Sequence, residues 1–274
     1  MSHSDSLRSR IRSEWPLLVL AVSFFTRIPV KVKQEVTEET LNKASRYFAL
    51  VGLLVGGISA LVFVVCSSFL PYSISVIFAM FTSVLLTGAF HEDGWADVWD
   101  GFGGGWTVEQ KLSIMKDSRL GTYGASALFF LLIAKYQSLM VIESVAFALI
   151  LGHTLSRVVA TSLIADMPYV QEDAKSKVKP LAQVLSSESY FILIMTGVLV
   201  LVGAMFLGFL SFYQLMQLVV VLAVIRWLMI KWFTQQLGGY TGDCLGAAQQ
   251  LSEVIIYLFL VVTAYGSTVV EVNS

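Results

Sequence analysis

The stretch ISVIFAMFTSVLLTGAFHEDGWADVWDGFGGG, residues 74–105, changes character partway along. Residues 74–91 are almost entirely apolar or small. Residues 92–100 then carry Glu92, Asp93, Asp97 and Asp100. A bilayer crossing needs about 20 mostly apolar residues, because lipid offers no partner to an open backbone N–H or C=O. The first half therefore reads as a crossing and the second as a helix end loaded with carboxylates. Composition agrees: 56% of the 274 residues are hydrophobic and 14% are charged, against about 25% charged in a soluble domain. The fold class expected is all-α, a polytopic transmembrane helix bundle.

Further apolar runs at 47–70, 122–140, 141–164, 189–210, 213–232 and 251–269 bring the expectation to seven spans, with six to eight allowed. Lys135-Tyr136-Gln137-Ser138 is taken as the weak boundary between the third and fourth. All of 1–274 reads as a single integral-membrane domain, with 1–46 a cytoplasmic or interfacial segment. Arg8, Arg10 and Arg12 precede the short apolar run Leu17–Phe25, which meets Thr26-Arg27-Ile28-Pro29 without a small-residue cleavage site, so the segment is read as retained. Connections 92–121, 165–188 and 233–250 share their side with the N-terminus and hold Lys111, Lys116, Arg119, Lys175, Lys177 and Lys179. By the positive-inside rule that side is cytoplasmic. A net charge of −1 argues against nucleic acid as a partner. Cys66 and Cys244 are too far apart in sequence to form a metal-ligand pair.

If 93–100 is helical, Asp93, Asp97 and Asp100 fall within about 60° of arc at 100° per residue. Carboxylates so close repel and call for a cation. Hard oxygen donors suit magnesium or manganese, which bind carboxylates, water and substrate phosphates together. A solvated acidic loop and a proton or ion path are the other readings of such acids, the second weakened by their place at a span's end. Lys116-Asp117-Ser118-Arg119-Leu120-Gly121-Thr122-Tyr123-Gly124 follows, offering Arg119 and Lys116 to phosphate oxygens and Asp117 as a base or ligand. The loop 238–246 brings glycines and Asp243 to the same side. Arg157, inside a span, is expected to face the site, and Arg226 is left unassigned. His91 and Glu92 are candidate supporting residues behind the acids, and Trp95, Trp99 and Trp106 are expected in an interfacial belt.

These motifs, in order, resemble the adenosylcobinamide-GDP ribazoletransferase (cobalamin synthase) family. The resemblance runs through FFTRIPV (24–30), RYFALVG (46–52), HEDGWADVWDG (91–101), 116–124 and 238–247. It implies a magnesium-assisted phosphoryl transfer at the bacterial inner membrane. A ribose hydroxyl of α-ribazole or its 5′-phosphate attacks the cobinamide-linked phosphate of adenosylcobinamide-GDP, and GMP leaves. The resemblance carries metal binding to Asp93, Asp97 and Asp100 and substrate-phosphate contact to Arg119, and Arg119 with Asp117 is taken as the catalytic pair. From the residues themselves, Lys116, Arg157, Asp243 and Arg27 are expected to contact substrate. The family's Tyr-Ala-Arg loop and following glycine turn are missing at 168–177, which places any contact from that loop in question. A CDP-alcohol phosphatidyltransferase-like enzyme and a cation-coupled transporter stand as alternatives. Whether subunits associate stays open.

Overall fold

The computed structural model describes residues 3–170 and 182–272, and the loop residues Lys175 and Lys177 lie outside this range. Eleven α-helices run through the described residues: α1 His3–Phe25, α2 Glu38–Ala44, α3 Phe48–Ser67, α4 Tyr72–Thr87, α5 Phe90–Gly104, α6 Val108–Met115, α7 Thr122–Val141, α8 Val145–Ser162, α9 Ser187–Phe206, α10 Phe212–Leu237 and α11 Gly242–Val272. Among the described residues the only β-type pairing is an isolated bridge between Tyr169 and Tyr240. Side chains set several of the helix starts. Thr37, Thr107 and Ser211 each close a capping box that satisfies first-turn N–H groups.

Six helical segments are long and apolar enough to cross a bilayer: Glu38–Ser67, Thr122–Val141, Val145–Ala165, Ser187–Phe206, Phe212–Leu237 and Gly242–Ala264. The seventh expected span corresponds to α4, which meets the length test only together with α5, and the two are bent by 86°. Alone, its 16 residues reach about 24 Å at 1.5 Å each. The apolar part of α1, Glu14–Phe25, is shorter still.

One expected boundary is wrong. Residues 135–138 do not separate two spans; α7 runs through them to Val141, and the turn falls at 142–144. Lys135 is consequently inside the bundle, 4% exposed, where a buried acid on α11 compensates its charge.

α8 is the central helix: 83% of its apolar window is buried, against 22% for α10 and 28% for α9. α3 lies close along it because Gly52 and Gly56 present no side chain, and a Cβ at either would strike the backbone at His153 or Leu149. Large apolar side chains such as Phe191, Leu199, Val220 and Trp227 are exposed on α9 and α10, a surface that suits lipid.

Chain alternation gathers the starts of α3, α7, α9 and α11 with the ends of α4, α8 and α10 at one end of the bundle, and side-chain contacts tie them there. Asn42 Oδ1 accepts from the Gln183 and Val184 N–H groups, Lys111 Nζ donates to Gln236, and Tyr240 exchanges backbone hydrogen bonds with Pro168 and Val170. At the other end Tyr72 Oη donates to the Ile142 carbonyl and Phe147 stacks on Phe209.

Candidate active site

The acid-bearing helix is aimed by a kink. Gly88 and Ala89 both adopt left-handed backbone, φ +67° and +57°, which ends α4 and lets α5 leave at 86°. Glycine takes this conformation freely, whereas alanine holds it at a cost of about 1–2 kcal/mol. Arg27 braces the bend: its N–H donates to the Leu86 carbonyl at 2.6 Å, and its guanidinium lies over Gly88. The helix is there as expected, but it is a new helix and not the continuation of α4.

Along α5, Asp93 is exposed, Asp97 half-buried and Asp100 buried. Asp100 has a definite structural task. Its Oδ2 accepts from the Gly121 N–H at 2.7 Å and its Oδ1 from the Gly124 N–H at 2.8 Å, capping an α7 terminus whose own Gly121 has no side chain to do so. The first turn of α11 comes up beside α5, the Gly94 backbone facing that of Asp243. Burial, with Asp243, Asp93 and Asp100 nearby, pushes the Asp97 carboxyl up to about 7. Four carboxylates thus share one field, and α5, with four acids in 15 residues, lies outside the six spanning segments.

Among the described residues no three His, Cys, Asp or Glu side chains stand ready to hold a metal ion by themselves. Magnesium does not require this, since it takes one or two carboxylates and completes its shell with water and substrate phosphate. Asp93, Asp97 and Asp243 fit that demand as oxygen donors close enough to repel one another, which adds to the burial that raises the Asp97 carboxyl. Asp100, committed to two N–H groups, keeps only its remaining lone pairs for such a role.

Arg119 and Asp117 pair with each other on the α6–α7 connection, Nε to Oδ1 at 3.0 Å. The Arg119 side chain is 86% exposed. Its guanidinium holds the Asp117 carboxyl below the usual range, so Asp117 is a poor proton acceptor as it stands. Lys116 is exposed at the end of α6. Arg226 pairs with Asp166 and donates to Ser162.

Arg157 is 3% exposed. Its Nη1 donates to the His153 carbonyl at 2.9 Å, its Nε has no partner, and it makes no ion pair among the described residues. It lines a cavity with Phe25, Phe48, Phe90, His91 and Gln249. The His91 ring stacks on Phe25 at 5.9 Å. Trp95 is buried and packs edge-on against Trp99, so it belongs to the core and not to an interfacial belt.

Sequence reasoning missed a buried polar network behind the acids. Glu253 Oε1 lies 2.9 Å from Lys135 Nζ and Oε2 lies 3.4 Å from His153 Nδ1. Tyr257 Oη and Gln249 Nε2 also donate to it. Gln250 accepts from Lys135 at 2.6 Å and donates to Glu92 at 3.0 Å, which places Glu92 in this network and off the acid face. The signal was available: ionisable residues inside apolar helices are costly and seek one another, and residues 249, 253 and 257 share one face of α11.

A membrane helix bundle that collects carboxylates, a buried guanidinium and an aromatic cavity at one end has the build of an integral-membrane enzyme for a charged substrate. Comparison with known proteins narrows the class. The family model described as Cobalamin-5-phosphate synthase matches residues 17–261, and the chain belongs to that family. It is 52% identical to an adenosylcobinamide-GDP ribazoletransferase of Shewanella piezotolerans, over 92% of this chain and 96% of the relative. It is 53% identical to one of Shewanella pealeana, over 90% and 95%, and 50% identical to one of Shewanella oneidensis, over 94% and 98%. No solved structure matches the chain.

Proposed function

We propose that the chain transfers the cobinamide phosphate of adenosylcobinamide-GDP to a ribose hydroxyl of α-ribazole or its 5′-phosphate and releases GMP. The observation that carries this reading is family membership across 17–261, with relatives so named at about half identity over nearly the whole chain. In the reaction the ribose oxygen forms a bond to the phosphorus next to cobinamide, and the bond from that phosphorus to the bridging oxygen breaks. The hydroxyl proton passes to a carboxylate of the acid face, and GMP departs with the bridging oxygen.

Asp93 and Asp97, with Asp243 and the remaining capacity of Asp100, would hold Mg2+. That ion, when bound, neutralises diphosphate charge as the leaving group develops it. Arg119 is suited to a phosphate oxygen through its planar fork. Asp117, held low by that same arginine, aims the guanidinium better than it takes a proton. Arg27 anchors the bend that sets the angle of α5.

The active end faces the cytoplasm in this reading. With Lys135 inside the bundle, the opposite connections, 68–71, 142–144 and 207–211, contain no Lys or Arg. Lys111, Lys116 and Arg119 lie at the acid end, which is the asymmetry the positive-inside rule describes.

The test is product analysis with purified protein in lipid. Adenosylcobinamide-GDP, either acceptor and Mg2+ should yield GMP and a cobalamin product in equal amounts. Release of CMP from a CDP-alcohol, with no GMP from the corrinoid substrate, would replace this reading with the lipid-enzyme alternative.

A further inference from the structure

α9 and α10 are among the least buried spans, and the seam between them is open. Gly197 brings α9 down on α8, where its missing side chain leaves room for Val158 and Leu155. Arg226 ties α10 to the end of α8. Its Nε donates to Ser162 Oγ at 2.8 Å, and its Nη2 donates to the Ser162 carbonyl at 3.1 Å and to Asp166. Between these contacts runs a groove lined by Val158 and Val159 of α8, Gly197 and Leu201 of α9, and Val219 and Ala223 of α10, with about 200 Å³ of room.

The groove is polar at one end alone. Counted from the 207–211 turn, Tyr190 and Arg226 stand at about one height, where the spans Val145–Ala165 and Ser187–Phe206 reach the acid end of the bundle. Leu201 and Val219 stand about 10–16 Å nearer the opposite end, at 1.5 Å per residue. Every lining residue between those two levels is apolar. The cation at the polar end is oriented but not used up. Asp166 and Ser162 engage Nε and Nη2, whereas Arg226 Nη1 and Tyr190 Oη have no hydrogen-bond partner among the described residues.

Size and surroundings decide what fills such a groove. Water finds no partner along its apolar length. A second helix, about 10 Å across with its side chains, does not enter 200 Å³. At about 30 Å³ for a water-sized group, the room takes about seven methylenes, part of one acyl chain. A chain running from the interface into the bilayer sets its polar end beside Arg226 and Tyr190. A phosphodiester there meets one edge of a guanidinium and a hydroxyl.

We propose that one phospholipid resides in this groove, with an acyl chain between α9 and α10 and its phosphate held by Arg226 Nη1 and Tyr190 Oη. The bound lipid completes the packing of α10. That helix ends at the acid face, where Gln236 accepts from Lys111 and Leu237 leads through 238–241 into α11 and Asp243. The lipid therefore steadies the segment that delivers Asp243.

Native mass spectrometry of full-length protein, extracted in mild detergent, tests this. The wild-type protein should carry one phospholipid per chain. Ala223→Phe fills the groove from an exposed position and leaves Arg226 bonded to Ser162 and Asp166; it should lose that lipid. Arg226→Gln should weaken rebinding of phosphatidylglycerol to delipidated protein by about tenfold. Wild-type protein that carries no lipid, or a fatty acid in its place, overturns the proposal, as does an Ala223→Phe variant that retains phospholipid as wild type does. A dimer that Ala223→Phe dissociates would put a second chain on this face and equally overturn it. If Ala223→Phe does not fold, Val219→Trp closes the groove from its exposed rim and carries the same expectation. Thermal unfolding separates a bound lipid from lipid acting as solvent. Phosphatidylglycerol added at about one molecule per chain should raise the midpoint of delipidated wild type and not that of the groove-filling variant. An equal rise in both refutes the site.

Discussion

Lys135→Met removes an ammonium that lies 2.9 Å from Glu253 Oε1 and 2.6 Å from Gln250 Oε1. Both charged side chains are nearly sealed, 5% and 3% exposed. Breaking a buried pair from one side costs about 3–5 kcal/mol, because the partner stays behind as an uncompensated charge. The Gln250 oxygen loses its donor as well, worth about 1 kcal/mol. Donors from Tyr257 and Gln249 remain on Glu253, so the net loss stays near the range given for the pair. For a chain of this size such a loss lowers the thermal midpoint by on the order of 10 °C.

The decisive comparison is with Lys135→Met/Glu253→Gln, which removes both charges and keeps similar shapes. The double variant should be more stable than Lys135→Met alone, with a coupling of about 2–3 kcal/mol. Thermal unfolding of the purified protein in lipid–detergent micelles, followed by tryptophan fluorescence, measures both. A Lys135→Met midpoint within about 2 °C of wild type, or strictly additive losses, would refute the buried pair as described.

Other consequences follow from single contacts. Asp100→Ala leaves the Gly121 and Gly124 N–H groups without their charged acceptor; stability should fall by about 1.5–3 kcal/mol, and hydrogen exchange should quicken in the first turn of α7, visible by mass spectrometry. Gly88→Ala sets a Cβ against the Arg27 guanidinium at a left-handed φ, so activity should drop through misdirection of α5, whereas Ala89→Gly, which relieves the strained neighbour, should be neutral or stabilising by about 1 kcal/mol. Asp97, with a carboxyl raised from 3.8 to about 7, binds its proton more tightly folded than unfolded. Metal-free protein should therefore lose stability as pH rises from about 4 through 7, and apparent Mg2+ affinity should climb over pH 6 to 7 as the competing proton leaves; a pH-independent affinity by calorimetry would contradict this.

Bilayer spans were legible because the signal is long and crude: 20 apolar residues in a row leave few other structures open. The acid helix was legible too, since Asp93, Asp97 and Asp100 repeat at helical spacing. Three things were hidden for physical reasons. Lys135 resembles a loop residue in sequence, and only the approach of Glu253, 118 positions later, makes it a core residue. Asp100 looks identical to its neighbours until α7 is seen to start at its carboxylate. The bend at Gly88–Ala89 falls in an unbroken apolar run, and its second left-handed residue is an alanine, which carries no turn signal. Arg157 was expected at the site from its charge inside a span, and it is found buried beside the acid helix. The aromatic cavity around it joins residues from five helices and has no sequence signature.

The acid face of α5 is where the transfer chemistry is placed, and Asp97→Ala measures it most directly. GMP release from adenosylcobinamide-GDP and α-ribazole 5′-phosphate should fall by about 100-fold or more, while the thermal midpoint of the metal-free protein stays at or above that of wild type. Near-normal GMP release by that variant, at saturating Mg2+ and with the fold intact, would contradict a role for the α5 carboxylates in the transfer.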